Sequence, residues 1–402
     1  MANKAVHLND AVPYIMNNIQ VQKKRLDDNG HCSIIFLSGP PGIGKSDLLE
    51  QVAKELNMGL NAQYLGTMLI EQFGMPLPTL EKDATFQKWS NPSFYSTEDL
   101  RIHPPTKNDG LSLEDPSVLN VKAVLSDGVI ILFLDDIHLA TKTIQSYLFQ
   151  LFTYRSIHNK KMPQNFVMVA AGNRSIDRAN AQPIMAPIAN RMYFLDVDAE
   201  SSDWITNFAI PNQLREDIVS FIGLYPDMLQ SDPLESKAWA SPRSWTYLCG
   251  EMDQWEIGKT LEVDNILTMG GGHVGVDYTA KFVEYVKLFK QWDIESYFRG
   301  AKLPMLKPTD KIKSYTLMSA MSAELIKSLR DNNWVIDKIR QRNIDVTKEL
   351  FVQMLDRSIE LVPMGLRNIL LAENLSGNEA LVYCELTKDN PALLKAVKEL
   401  MS

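Results

Sequence analysis

An unbroken apolar run, Ser33-Ile34-Ile35-Phe36-Leu37, gives way at Ser38 to Gly39-Pro40-Pro41-Gly42-Ile43-Gly44-Lys45-Ser46. The stretch that follows, 45–57, has helical spacing, with Leu48, Leu49, Val52, Ala53 and Leu56 on one face. A run apolar at every position suits a strand buried on both faces of a parallel sheet. The loop matches GxxxxGK followed by Ser or Thr, and its setting between strand and helix fits that motif. Glycines there let backbone N–H groups turn inward around phosphates. The helix behind points its positive end at the same spot. Lys45 is placed to reach the outer phosphate oxygens, and the Ser46 hydroxyl to hold Mg²⁺. The nucleotide-binding set is therefore Gly39, Pro40, Pro41, Gly42, Ile43, Gly44, Lys45, Ser46 and the adjoining Asp47. A second GxxxxGK-like loop is not expected at Gly270-Gly271-Gly272-His273-Val274-Gly275. That segment lacks a preceding buried strand and reads as a flexible turn before a helix at 276–289.

A second buried strand, 129–134, ends in Asp135-Asp136. In open α/β sheets ligands bind at the carboxyl ends of strands. Asp135 would hold Mg²⁺, through water, and Asp136 would polarise the attacking water beside the γ-phosphate. An acidic pair capping a helix is the plainer reading of the same two residues. Asn173 follows a third strand, 166–170, and could orient that water, although Gly-Asn is also common turn sequence. His138 comes just after the acidic pair, and a structural role is its plainer reading. The six histidines show no HxxxH spacing, so no metal beyond Mg²⁺ is expected.

Strands at 61–65 and 192–195 and helices at 11–27 and 141–153 complete an alternating pattern. Such alternation predicts an α/β parallel sheet. Between 72 and 118 Pro, Gly and Ser accumulate and the pattern weakens, as in an insertion of hairpins and loops. Residues 154–166 read as a hairpin whose basic tip carries Lys160-Lys161. Beyond about 200 helical periodicity dominates. The expected organisation is an N-terminal helix (1–30), an α/β core (31–200), a helical lid (201–255) and a helical C-terminal region (256–402).

In this order along the chain the motifs resemble those of the MoxR-like, or dynein-related, branch of AAA+ ATPases. GPPGIGKS is similar to the Walker A motif, ILFLDD to Walker B, and VAAGNRSIDRA to the sensor 1 segment with Asn173 at the sensor position. PIMAPIANRM resembles the stretch that ends in the arginine finger, placing that role on Arg191. AWASPRSW resembles sensor 2, placing that role on Arg243. As isolated residues they would read as a helix-terminal cation and a surface Arg after Pro. The resemblance implies an AAA+ P-loop fold, ATP with Mg²⁺, hydrolysis, and a hexameric ring in which Arg191 acts on the neighbour's site. It also implies a protein client and a partner with a von Willebrand factor A domain. One departure is Asp136, where the family has Glu. The lost methylene shortens the reach by about 1.5 Å, and misplacement on that scale can cost roughly 100-fold in rate. A nucleotide-gated scaffold with negligible turnover is therefore the non-enzyme alternative.

Charge bears on the partner. The chain of 402 residues carries a formal -8, which argues against indiscriminate coating of nucleic acid. Residues 281–349 hold 14 Lys+Arg against 9 Asp+Glu, with Trp292, Tyr297, Phe298 and Trp334 interleaved. A nucleic-acid-directed motor is the alternative this stretch raises, against the plainer reading of a helical domain with snorkelling Lys. Cys32, Cys249 and Cys384 are far apart with no CxxC, so a reduced, cytoplasmic setting is expected. No apolar run approaches the ~18 residues that span a bilayer, and the N-terminus has no leader-like apolar stretch.

Overall fold

The computed structural model describes residues 5–27, 32–65, 88–90, 129–157, 160–162, 165–174, 183–232, 237–307, 309–329, 338–355, 365–366, 369, 379–388 and 390–395. Most of the expected insertion at 72–118, with Phe94-Tyr95, lies outside them, as does Trp334. The chain forms two compact units, 1–199 and 200–402.

In the first unit the apolar runs are strands. In chain order they are β1 (Val6–His7), β2 (Ile34–Ser38), β3 (Gly59–Tyr64), β4 (Lys88–Ser90), β5 (Ile130–Asp135), the hairpin strands β6 (Ser156–Ile157) and β7 (Lys160–Lys161), β8 (Phe166–Gly172) and β9 (Met192–Asp198). Seven form one sheet in the order β1-β9-β2-β8-β5-β3-β4, and every pairing is parallel. The antiparallel pair β6–β7 stands apart as a hairpin.

The helices of this unit are α1 (Val12–Asp27), α2 (Lys45–Glu55), α3 (Lys142–Tyr154) and α4 (Ala186–Ala189). Successive strand side chains point to opposite faces, so one sheet feeds two cores. Ile35, Leu37, Ile131, Phe133, Val167 and Val169 pack with Ile15 and Ile19 of α1 and Leu48, Leu49 and Val52 of α2. Ile34, Phe36, Leu132, Leu134 and Met168 pack with Ile144, Leu148 and Leu151 of α3. This three-layer arrangement is why the strands lack hydrophobic–polar alternation.

Two amides fix α1 to the sheet edge. Asn18 Nδ2 donates to Ser33 O at 3.1 Å, and its Oδ1 accepts from Ile35 N at 3.3 Å. Gln22 Nε2 donates to Met168 O at 2.6 Å, and its Oε1 accepts from Met168 N at 2.8 Å. The β2–β8 ladder begins at Ile35 and Val169. These amides therefore satisfy buried backbone groups just before it, which would otherwise go unpaired.

The described residues of the second unit are helical. They form α5 (Ser201–Trp204), which continues into a π-helical turn at Ile205–Ala209, then α6 (Glu216–Leu224), α7 (Pro242–Glu256), α8 (Val263–His273), α9 (Val276–Lys290), α10 (Ile294–Phe298), α11 (Lys311–Leu329), α12 (Lys338–Leu355) and α13 (Glu379–Thr387). An aromatic knot joins α6, α7 and α9: the Phe221 ring lies 5.6 Å from Trp245 and 5.2 Å from Phe282. The Trp245 indole donates to Met228 O at 2.9 Å, so its burial leaves no orphan donor. Arg215 binds Asp217, Asp253 and Glu256 at 2.8, 3.0 and 2.7 Å. Burial opposes its charge, but Asp217 and Glu256 outweigh that and raise its pKa.

Here one expectation is corrected. Gly270–His273 is the last turn of α8, not a flexible turn, and the reversal falls on Gly275 at φ 92°. The glycine is there for packing: a Cβ on Gly270 would lie 2.4 Å from Thr279 Cγ2 of α9. Of the aromatics that had suggested a binding surface, Trp292 is half-buried and Phe298 is buried. The Trp292 indole donates to Thr316 Oγ1 at 3.1 Å. Among the described residues no helix is long and apolar enough to cross a membrane.

Two outcomes follow from this packing. Gly270→Ala should lower stability by about 1–3 kcal/mol, the usual cost of overpacking, despite alanine's better helix propensity. Urea unfolding reads this. Burial pushes the Cys249 thiol up to about 12, which leaves almost no thiolate at neutral pH, whereas Cys384 is exposed. A maleimide should label Cys384 in the native protein and reach Cys249 only on unfolding, as peptide mass mapping would show.

Candidate active site

Parallel pairing brings the carboxyl ends of β2, β5 and β8 to one edge, and the strand order places β8 between the other two. Ser38 is level with Gly172, and Leu134 with Ala170. Segments far apart in sequence therefore open side by side: the glycine loop, the acidic pair and Asn173.

The loop itself requires glycine at several points. Gly42 and Gly44 have φ of 79° and 99°, a region open to glycine but costly for most residues. At Gly39 a Cβ would lie 2.6 Å from Val197 O. Lys45, at the start of α2, is buried to 7% exposure and folds back over the loop. Its Nζ donates to Gly39 O at 3.0 Å, Pro40 O at 2.9 Å and Asn173 Oδ1 at 3.2 Å. Ser46 Oγ donates to Asp135 Oδ2 at 2.6 Å, bridging 89 positions of sequence. The other Asp135 oxygen accepts from Asp136 N at 2.9 Å. Asp47 is exposed in the first turn of α2, where an acid suits the helix dipole.

These residues fit a nucleotide with a hard divalent cation. The cradle is one that side chains would fill, its lysine is preplaced, and the hydroxyl–carboxylate pair offers the oxygen donors that Mg²⁺ takes. Ser46 and Asp135 would hold Mg²⁺, which would supply positive charge to offset that of the phosphates.

Asp136 adopts φ 54°, ψ 41°. Asp and Asn tolerate this left-handed region better than longer residues do, which gives a backbone reason for Asp where the resembled family has Glu. Its side chain is 40% exposed. His138 lies behind it at 2% exposure. His138 Nδ1 accepts from Asn173 N at 3.2 Å, and its Nε2 lies 3.5 Å from Asn173 Nδ2 and 4.0 Å from Asp136 Oδ1. Gly172 makes room for this ring, since a Cβ there would meet His138 Nδ1 at 2.8 Å. A polar residue within Ile137–Leu139 was a weak sign of that enclosure, and the linear sequence held no stronger one. It also concealed Asn61 and Gln63, buried polar groups on β3 next to β5. Their signal was polar residues alternating in an otherwise buried strand.

Two expected residues are not at this edge. Arg191 opens β9 at the opposite end of the sheet, where its carbonyl accepts from Ile34 N at 3.0 Å. Five residues of β2 intervene, roughly 16 Å at the usual strand rise. Its guanidinium lies 4.6 Å from the Phe149 ring centre, and Nη1 donates to Pro187 O at 2.6 Å. Arg243 belongs to the second unit. It is exposed in the first turn of α7, behind the Ser241–Ser244 capping box.

The sequence of residues 35–192 matches the AAA family model, described as the ATPase family associated with various cellular activities. The match spans 158 of the chain's 402 residues. The fold around it is that of an AAA+ P-loop protein. No curated protein matches the sequence. Among solved structures, the chain is similar to a RuvB mutant of Thermotoga maritima, at 16% identity and TM-score 0.32, covering 74% of this chain and 81% of that one. It is also similar to the Thermotoga maritima RuvB Holliday junction branch migration motor, at 16% identity and TM-score 0.33, covering 73% and 78%. Likeness at this distance carries no inference about substrate.

Lys45→Ala should weaken ATP binding by roughly 2–5 kcal/mol, the cost of truncating one partner of a buried charge contact. Titration calorimetry with a non-hydrolysable analogue checks this, with an unchanged melting curve as the folding control.

Proposed function

We propose that this protein binds and hydrolyses ATP with Mg²⁺ as a ring-forming AAA+ motor of the MoxR-like type, working on a protein client in the cytoplasm. The observation that carries the reading is the meeting of Lys45, Ser46, Asp135 and Asn173 at one sheet edge. The loop amides and Lys45 would hold the phosphates. Asp136 would take a proton from the attacking water, and Asn173 would orient it.

Arg191 supports the ring. About one sheet height from its own loop, it cannot serve that loop, but a neighbouring copy could present it to a second active site. Its stacking on Phe149 would hold the guanidinium ready for that. Arg243 would act from the second unit as the sensor that couples nucleotide state to lid position. A cation in a helix's first turn gains nothing from the dipole, which favours such a role over a structural one. A hexamer, and a partner with a von Willebrand factor A domain, belong to this reading through the family resemblance alone.

Part of the basic stretch behind the nucleic-acid alternative is used inside the second unit. Within 281–349, Lys281 lies over the Tyr225 ring, and Lys290 and Arg340 donate to backbone carbonyls. Arg299 and Lys327 pair with Glu295 and Glu324. These cations are engaged within the unit.

Turnover by wild type and its loss in Lys45→Ala is the direct test. Equal phosphate release from both would overturn the reading. The ring predicts more: Lys45→Ala and Arg191→Ala are each inactive alone, and mixing them restores turnover, because one supplies the finger and the other the site. No recovery on mixing would remove the role of Arg191 in trans.

A further inference from the structure

His138 is more enclosed than Lys45 or Asp135, at 2% exposure against 7% for each. Nothing so far gives it work to do. It sits at the centre of the catalytic edge rather than in the hydrophobic layers. Its Nδ1 accepts the Asn173 backbone N–H at 3.2 Å. With that nitrogen occupied as an acceptor, the neutral ring carries its proton on Nε2. Nε2 faces the Asp136 carboxylate at 4.0 Å and the Asn173 amide at 3.5 Å. Asn173 in turn accepts from Lys45 Nζ at 3.2 Å. The loop lysine, Asn173, His138 and Asp136 thus form one polar cluster, in which His138 is joined to Asn173 through the backbone N–H. Glycine at 172 is what lets the imidazole approach the backbone so closely.

We propose that His138 is a positioning residue that makes Asp136 and Asn173 move as one unit. This rests on the ATPase reading above. Asp136 has a short side chain that is 40% exposed, so its carboxylate also faces water. A buried ring nitrogen 4.0 Å away limits the orientations open to it. Catalytic hydrogen bonds commonly tighten when substrate binds, and the 4.0 Å contact has room to do so. The ring also holds the Asn173 backbone, so the residue that orients the water and the residue that deprotonates it share one support. His138 itself touches neither nucleotide nor water in this role.

The test uses the full chain. His138→Asn keeps an acceptor near Nδ1 for the Asn173 N–H but removes the group facing Asp136. The expected result is ATPγS affinity unchanged within about twofold, the usual scatter between independent sites, and an unchanged melting temperature. kcat should fall roughly 10–100-fold, in line with angstrom-scale misplacement, at constant KM. His138→Gln, whose longer amide reaches toward Asp136, should recover part of that loss. Combining His138→Asn with Asn173→Ala should cost little more than Asn173→Ala alone, as for residues that act as a unit. Unchanged kcat, losses that multiply, or kcat falling together with affinity and melting temperature would each overturn the proposal.

Amide hydrogen exchange provides a reading independent of turnover. The Asn173 amide should be protected in wild type and in His138→Asn, and fast in His138→Ala, while the amides of β5 stay protected in all three. Equal Asn173 exchange in all three overturns the proposal. A wild type that does not hydrolyse ATP would overturn the ATPase reading instead, and the exchange result would then decide the positioning claim.

Discussion

The insertion of β8 between β2 and β5 is the constraint from which the rest of the first unit follows. Parallel strands share one direction, so a strand placed there delivers its last residue between the glycine loop and the acidic pair. Asn173 then meets the end of the Lys45 side chain, and Ser46 meets Asp135. The amides of Asn18 and Gln22 support the same arrangement from below, closing the backbone groups at the start of that ladder. Rigid backbone thus does most of the placing, and short polar side chains finish it.

The two ends of the sheet divide the chemistry. The carboxyl end holds Lys45, Ser46, Asp135, Asp136 and Asn173. The amino end holds Arg191, which the five-residue span of β2 separates from its own loop. In the proposed ring, a neighbouring copy would bring the group that the amino end holds away from its own loop. The second unit is organised differently, around aromatic packing and the Arg215 cluster with Asp217, Asp253 and Glu256. Breaking such a partly buried ionic cluster is costly because it strands charge in a desolvated place, so it serves as an internal brace.

The strands were readable because burial on both faces leaves only apolar residues: Ile34–Leu37, Ile130–Leu134 and Phe166–Ala171 could hardly be anything else. The loop was readable because close backbone approach to phosphate tolerates little but glycine. Gly270 was misread for the complementary reason. A glycine needed for helix–helix contact looks, in one dimension, like a glycine needed for a turn, and only Thr279 on the facing helix tells them apart. The basic stretch at 281–349 was ambiguous in the same way. Charge count does not reveal that Lys281 covers Tyr225 or that Arg299 pairs with Glu295.

The sequence alone determined that residues 34–55 make a strand, a glycine loop and a helix, that Asp135-Asp136 end a buried strand, and that helical periodicity dominates the later chain. Each of these is a local matter of periodicity, apolarity or backbone freedom. Only the tertiary structure decided which strands are neighbours, that Arg191 opens the far end of the sheet, and that His138 lies buried between Asp136 and Asn173. Those facts depend on strand order and on contacts between segments tens of residues apart. No local pattern encodes them, because any one strand would look the same in a different order.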